Sequence, residues 1–409
     1  MSKKQFIRHQ QMKNDTLTEV LNAISKGAAC KREVQSHTGL SWGKVSETVN
    51  LLLDKRIINF SDDIDRESTG SGRKSSYFEF SRTDFLCMGM ELQRHRIITT
   101  LINIGGKIIG QNSKALSSAL ALDNLRQNVR AAFDEQLEQS SISEKKVIAL
   151  SFSLTGAVDS LNQIWLQSPH VPDILNYDFS SVAADFPHLI HFSIEHDIQT
   201  RARSVLSNEK WLDDNFVFMH IGGGVGMAIH TQTGFFCGSR GLAGEIGHIP
   251  VTNVQSDNSD RQCSCGQHNC LESFLSDHGL LSFAKEKFGI EANDLPALFA
   301  AATPENMDAF YNYLQPYLLQ AGIMAANLFD PATLIIGGEL LEPWLPQLQE
   351  EFLPKLQALA WIHSPAQLKC YRMDSCDSAF GVSINAIPSL ISQLATEISI
   401  SLKGKIQND

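Results

Sequence analysis

"FVFMHIGGGVGMAIHTQTGFFCG", residues 216–238, opens with an apolar run, bends at Gly222, Gly223, Gly224 and Gly226, and returns in a second apolar run: the pattern of a buried β-hairpin. The sequence on either side repeats the theme. Downstream, "PATLIIGGEL" (331–340) reads as strand, glycine pair, helix. Upstream, "FLCMGM" (85–90), "RIITTLINI" (96–104) and "GKIIGQ" (106–111) read as successive strands, and a helical segment follows around Leu125 to Leu137. "KVIALSFS" (146–153) is a buried strand running into a sharp turn at Gly156, and "HFSIEHDIQTRARSVL" (191–206) is a strand that breaks at His196 and Asp197 into a helix. Two such α/β halves in tandem predict two lobes with a cleft between them, the usual place for a small ligand.

A chain of 409 residues exceeds one ordinary core and is expected to divide. With 43% hydrophobic and 19% charged residues it has a globular composition, and no apolar stretch reaches the roughly 18 residues of a membrane span. The start, Met1 to Lys13, is polar and basic without the apolar core of a signal peptide, so a cytoplasmic protein is expected. The net charge of −11 is unevenly placed. Residues 1–80 carry 13 Lys and Arg against 10 Asp and Glu, and the remainder 21 against 35. Only the N-terminal part is suited to a phosphate backbone.

That part has a recognisable outline. Leu17, Val20, Leu21 and Ile24 follow helical spacing, and Gly27 stops the helix. "KREVQSHTGLSWGKVSETVNLLL" (31–53) then reads as a short helix, a tight turn at Gly39, and a second helix with Ser41 as its N-cap. Val45, Val49 and Leu52 line the inner face of that second helix. Ser41, Trp42, Lys44, Ser46 and Asn50 are left as candidate DNA contacts, because the second helix of a helix-turn-helix enters the major groove. Two strand-like runs, 56–60 and 76–80, flank a Ser/Gly-rich loop ending in Arg73 and Lys74, a candidate wing whose cations would meet phosphate or the minor groove. The boundaries expected are 1–82 for a winged helix-turn-helix, 83–195 for a first α/β lobe, and 196–409 for a second lobe carrying the cysteine cluster and the C-terminal helices.

Eight cysteines are present, three of them in "CSCGQHNCLE" (263–272). Cys263, Cys265 and Cys270 offer three thiolates on a short loop, and a tetrahedral Zn²⁺ needs a fourth ligand, commonly histidine. Both His248 and His268 are within reach in sequence. The other five cysteines are scattered and read as inert thiols.

"GLAGEIGHIPV" (241–251), "CSCGQHNCLE" and "DPATLIIGGEL" (330–340), in that order behind a winged helix-turn-helix, resemble the ROK family of repressors and sugar kinases over about residues 10–390. The N-terminal module places the resemblance with its sugar-responsive repressors, such as the N-acetylglucosamine, xylose and glucose-regulon repressors. The resemblance implies an actin/hexokinase-like two-lobed sugar domain. It also implies one structural Zn²⁺ per chain held by His248, Cys263, Cys265 and Cys270, although Asn269 stands where the family usually has glycine. For the sugar it implies His170, His196, Asp197, Glu245, His248 and Glu272, with Asp197 at the position of the kinases' general base. His196 and His170 stand where the kinases commonly have Asn. As an alternative, Asp197 suits a helix N-cap.

Kinases of this fold cradle phosphates on a hairpin of the type D-x-G-G-T-K, but residues 91–96 read Glu-Leu-Gln-Arg-His-Arg. The glycines that admit an anion to the backbone are replaced by bulky side chains. The expectation is therefore a transcriptional repressor of carbohydrate uptake or catabolism genes that has lost kinase activity. Its partners would be operator DNA and a sugar or sugar-phosphate effector, and it would act as a homodimer or homotetramer pairing half-sites. The alternatives are a sugar kinase with an appended regulatory domain and a repressor governed by a sugar-transport protein.

Overall fold

The structure, a computed structural model, describes residues 16–61, 76–169, 171, 173–209, 212, 215–251, 260–361 and 367–406. Three helices begin it: α1 (16–25), α2 (Lys31–Thr38) and α3 (Trp42–Asp54). Leu17, Val20, Leu21 and Ile24 of α1 are buried, as are Val34 of α2 and Val45, Val49 and Leu52 of α3. Gly39 ends α2 in the left-handed region (φ 68°), where its N–H donates to the Gln35 carbonyl, and the Ser41 hydroxyl accepts from the Lys44 N–H at 3.5 Å to start α3. Strands β1 (Ile58–Phe60) and β2 (Phe78–Phe80) pair antiparallel, shorter than the runs expected, and the loop between them lies outside the described residues from 62 to 75.

The first large sheet starts as an antiparallel meander, β3 (Leu86–Leu92), β4 (Arg96–Asn103) and β5 (Ile108–Ala115). Helix α4 (Leu125–Ser140) leads to β6 (Val147–Leu154), parallel to β3. A small antiparallel sheet of β7 (Ala157–Asp159), β8 (Ile164–Gln167) and β9 (Leu175–Asp178) intervenes. Helix α5 (Ser180–Ala183) and β10 (His191–His196), parallel to β6, follow. The second sheet repeats this plan. Helix α6 (Asp197–Asn208) precedes the meander β11 (Phe216–Ile221), β12 (Val225–Thr231) and β13 (Gly234–Phe235). The helices α7 (Asp277–Phe288), α8 (Leu295–Ala301) and α9 (Pro304–Phe329) then lead to β14 (Thr333–Gly337), parallel to β11. Short helices α10 (Leu345–Gln347) and α11 (Leu353–Leu359) lead to β15 (Gln367–Tyr371), parallel to β14, before the long helix α12 (Asp377–Ile406). The strand orders β10-β6-β3-β4-β5 and β15-β14-β11-β12-β13 are the same when the strands of each sheet are numbered along the chain, fifth-fourth-first-second-third. Every residue of β3, β11 and β14 is buried, which is why these strands read as unbroken apolar runs rather than alternating ones.

Helix α12, which the expected boundaries group with residues 196–409, packs both on α6 and on β3, β4, β6 and β10 of the first sheet. The contact with β3 is close enough that a Cβ on Gly89 would lie 1.9 Å from the Ala379 carbonyl oxygen. Phe380, Ile387, Leu390 and Leu394 share one apolar cluster with Cys87 and Ile102 of the first sheet and with Leu17, Val34 and Val45 of the N-terminal helices. The chain's end therefore returns to the first lobe and sits under the helix-turn-helix. In sequence an amphipathic helix reports that it has a partner, not which sheet supplies one.

Candidate functional site

The cysteine loop is a knuckle closed by its own backbone. Cys263 N–H donates to the Gln267 carbonyl and Gly266 N–H to the Cys263 carbonyl, and Pro250 and Cys270 form a β-bridge that ties the loop to the segment holding His248. Asn269 adopts φ 55°, the left-handed conformation that Asn tolerates better than most residues, and its Oδ1 accepts from Arg261 N–H at 2.9 Å. The ligand atoms of His248, Cys263, Cys265 and Cys270 all lie within 4.8 Å of one another. His268 faces elsewhere, its Nδ1 2.9 Å from Asp260 Oδ1. Cys265 Sγ and Cys270 Sγ are 3.7 Å apart and Cys263 Sγ is 3.5 Å from His248 Nδ1. A tetrahedral zinc with Zn–S bonds of about 2.3 Å spans ligand–ligand edges of roughly 3.8 Å, so the four residues fit such an ion. Burial, reinforced by the neighbouring thiols of Cys265 and Cys263, pushes the Cys270 thiol up to about 12. The cluster could hold a metal ion.

The other ring nitrogen of His248 faces a second group of polar side chains. Its Nε2 is 3.9 Å from Glu245 Oε2, while Glu245 Oε1 is 3.6 Å from His196 Nε2, which is 3.7 Å from Asp197 Oδ1. Two elements converge to do this. Strand β10 ends at His196, so Asp197 opens α6 as its first helical residue, and the cap position falls to His196 with no side-chain cap bond. The segment carrying Glu245 is pinned to β12 by the Met227 N–H···Gly244 O bond of 2.9 Å. Gly244 has φ 98°, and a Cβ there would lie 1.9 Å from the Met227 carbonyl oxygen. Burial raises the pKa of Glu245, with His196 and His248 opposing. Glu272 completes the group from the far side of the knuckle, accepting from Val225 N–H at 3.1 Å and from the Ser264 hydroxyl at 3.1 Å. One carboxylate thereby joins the glycine bend of β11–β12 to the cysteine loop. His196, Asp197, Glu245 and His248 are brought together, Glu272 sits beside the loop they share, and His170 lies outside the described residues.

Beyond α6 lies a buried charge network that sequence reading missed. Arg201 donates through Nη2 to Glu91 Oε1 at 2.9 Å and through Nη1 to Glu339 Oε1 at 3.1 Å, and His220 Nε2 is 3.4 Å from Glu339 Oε2. Burial would raise Glu339, but His220 and Arg201 hold it down at about 2. Burial also raises Glu91 against the pull of Arg201, and lowers His220. The signal was present in "HIGGG" and "IIGGEL": a titratable residue within β11 and a carboxylate just after β14, the latter exposed. At the neighbouring hairpin, Arg94, His95 and Arg96 are exposed while the carbonyls of Arg94 and His95 accept from Leu120 and Leu116 N–H groups.

In the N-terminal module, Trp42, Lys44, Glu47 and Asn50 are exposed on α3 and Ser46 is half-buried. Arg73 and Lys74 lie outside the described residues. Lys31, at the start of α2, donates to Ser46 Oγ at 3.0 Å and to Asn50 Oδ1 at 2.8 Å.

Two five-stranded sheets of one strand order, tied by an internal ion-pair network and preceded by a helix-turn-helix, define a two-lobed protein of the actin/hexokinase-like class. The chain belongs to the ROK family, whose model matches residues 87–364. It is 22% identical over 356 residues to a xylose repressor of Caldicellulosiruptor bescii, covering 80% of this chain and 85% of that one. It is also 22% identical over 331 residues to the DNA-binding transcriptional dual regulator NagC of Escherichia coli, covering 77% and 78%. Among solved structures, a ROK family transcriptional regulator described as a homolog of the Escherichia coli MLC protein superposes with a TM-score of 0.74 at 19% identity, over 94% of this chain and 99% of that one. A ROK family glucokinase from Streptomyces griseus, in complex with glucose and AMPPNP, reaches 0.60 at 20% identity over 73% and 98%. At such identities the structural likeness establishes the fold. Among the described residues no helix is long and apolar enough to cross a membrane.

Proposed function

We propose that the chain is a sugar-responsive DNA-binding transcriptional regulator, a repressor of carbohydrate genes in which the kinase chemistry of the fold has lapsed. The repressor names of its relatives support this, as does the likeness to a ROK regulator over 94% of the chain, N-terminal helices included. The observation that carries it is the retention of a hydroxyl-binding type of cluster, His196, Asp197, Glu245 and Glu272, beside a nucleotide region whose hairpin carries Arg94, His95 and Arg96. Carboxylates accept from adjacent sugar hydroxyls and imidazole can donate or accept, so the cluster suits a polyol. His248, Cys263, Cys265 and Cys270 would hold one zinc, which when bound replaces thiol protons and fixes the loop from which Glu272 projects. Four protein ligands leave no open position, so the role assigned is structural.

Sensing and reading have a direct route within one chain. Asp197 begins α6, and the same helix presents Thr200 and Ser204 to the start of α12: Thr200 Oγ1 and Ser153 Oγ lie 2.8 and 2.6 Å from Ser378 Oγ, and Ser204 donates to Asp377 Oδ1 at 2.5 Å. Farther along, α12 shares its apolar cluster with the helix-turn-helix. A ligand that favours one setting of α6 can therefore bias the other end of α12, provided it binds the two settings unequally.

The test is a thermal-shift screen against sugars and sugar phosphates, followed by operator titration with the compound selected. Glu245→Ala and Glu272→Ala should keep operator binding and lose the sugar effect, whereas Lys44→Ala should weaken operator binding and leave sugar affinity nearly unchanged. No ATP-dependent phosphorylation of a hexose or amino sugar is expected. Turnover that disappears in Asp197→Asn would overturn the non-catalytic reading.

A further inference from the structure

The outward face of α3 is defined by what it does not bury. Val45, Thr48, Val49 and Leu52 face the core, so Gly43, Glu47 and Asn50, spaced i, i+4, i+7, form the row pointing away from it. Gly43 serves no internal purpose: a Cβ there would meet nothing within 4 Å, and its φ is not positive. A glycine in a helix costs about 1 kcal/mol relative to alanine. Its place in the first turn of the outward row suits an external surface that comes close to the backbone.

Beside this row sits the Lys31 ammonium, brought from α2 to Ser46 Oγ (3.0 Å) and Asn50 Oδ1 (2.8 Å). An ammonium has three donors and no acceptor. Two donors are engaged, and because Lys31 can only donate, the Asn50 amide must turn its oxygen inward and its Nδ2 outward. The chemistry of the pair fixes the amide orientation that side-chain shape alone leaves ambiguous. An unrestrained Asn offers a donor and an acceptor side by side, the match for adenine N7 and N6. Here the oxygen is turned toward Lys31, which takes one of its two lone pairs. The Asn50 Nδ2 group is thereby left outward, and the Lys31 ammonium beside it keeps one further N–H, so the pair favours donors over an acceptor at this face. The major-groove edge with two adjacent acceptors is that of guanine, N7 and O6.

Resting on the DNA-reading function proposed above, we propose that Lys31 is a specificity-determining residue that converts Asn50 into a guanine reader. Glu47, one turn earlier in the row, presents an acceptor for the N4 amino group of a cytosine. The expected half-site therefore holds a guanine at the position facing Asn50.

The experiment selects bound sequences from a random-sequence duplex library with the full chain, then titrates the selected duplex and its single-base variants by fluorescence anisotropy. The wild-type should prefer one G·C pair per half-site over A·T by roughly 5- to 150-fold. Lys31→Met should cut that preference several-fold and move it toward adenine, as the Asn50 amide is freed to turn its oxygen outward, while Lys31→Arg should retain guanine. Asn50→Ala should lose discrimination at the same pair. Lys31 is half-buried and Asn50 exposed, and melting temperature confirms folding of all three variants. If Lys31→Met weakens every duplex equally without changing the preferred base, Lys31 is a phosphate contact and the inference fails, though the DNA-reading function stands. If the folded wild-type enriches no sequence, that function fails, and the inference with it.

Discussion

Arg201, on α6, donates through Nη2 to Glu91 Oε1 at the end of β3, 2.9 Å away, and both side chains are almost wholly buried. Because its Nη1 also holds Glu339, which follows β14, one guanidinium links the first sheet to the second. Burial works against its charge, but Glu91 and Glu339 hold its pKa above the usual value. A cation supplied by the chain thus engages one oxygen of a buried carboxylate at the end of β3.

Arg201→Met should therefore destabilise the fold by about 3–5 kcal/mol, the range for stranding one member of a buried pair. Adding Glu91→Gln should recover part of that loss, since the two groups are coupled and their effects do not add. Urea denaturation of the two single variants and the double variant measures this. Strict additivity would show that the pair does not act as a unit.

Asp277 supplies a pH dependence with an identifiable sign. It opens α7 beside the glycine bend, its N–H donating to the Gly222 carbonyl while its Oδ1 is buried without a partner among the described residues. Burial, with a contribution from Glu339, raises it from 3.8 to about 7. The folded state holds this proton more tightly than the unfolded state does, so the stabilising contribution is complete below about pH 3.8 and is lost as pH rises through 7. The ceiling is roughly 4 kcal/mol. Asp277→Asn should be the more stable form above pH 7 and lose that advantage by pH 4, read as melting temperature against pH. Glu339, lowered to about 2, acts in the opposite sense and only as pH falls below 4.5, outside this window.

Legibility in the sequence followed the range of the interactions. The turn at Gly39 and the cap at Ser41 are local, set by conformational freedom and one hydroxyl, and both stand where the sequence placed them. The twin sheets were legible because buried parallel strands write unbroken apolar runs. Spacing alone reached the three cysteines and left His248 and His268 open as the fourth ligand; the family resemblance, not the spacing, pointed to His248, which stands with the three thiols in the structure. What stayed hidden was nonlocal pairing. Arg201 and Glu91 are 110 residues apart, and Ser153 and Ser378 225 apart. Nothing in composition or period links them.

If His248, Cys263, Cys265 and Cys270 hold one structural zinc, purified protein should contain about one equivalent per chain. Cys265→Ser should lose the metal, lower the melting temperature and remove the sugar-induced thermal shift, because Glu272 depends on the knuckle through Ser264. Cys376→Ser, outside the cluster, is the control and should retain all three. Full metal content in Cys265→Ser would show that the ion, if any, is held elsewhere.

The last prediction concerns how binding at one end of the chain alters reading at the other. Helix α12 touches α6 so closely that a Cβ on Gly381 would lie 1.8 Å from the Thr200 carbonyl oxygen, and the Ser153, Thr200 and Ser378 hydroxyls close a buried triangle at the same contact. Interfaces this dense shift between discrete packings rather than deform smoothly, which is what a transmitting contact requires. Ser378→Ala leaves the Ser153–Thr200 bond of 2.9 Å available, so its stability loss should stay near 1 kcal/mol. Gly381→Ala must push α12 away from α6. Both variants should retain a sugar-induced thermal shift and sequence-selective duplex binding. The ratio of operator affinities with and without sugar, about 5- to 150-fold for ordinary coupling, should fall toward one in Gly381→Ala and by a smaller factor in Ser378→Ala. Leu390→Ala, midway along α12 in the apolar cluster shared with the helix-turn-helix, should reduce the same ratio without contacting the pocket. An unchanged ratio in folded Gly381→Ala would mean that the signal travels by another path, such as a change in the spacing of two recognition helices across an oligomer, and would remove α12 from the mechanism.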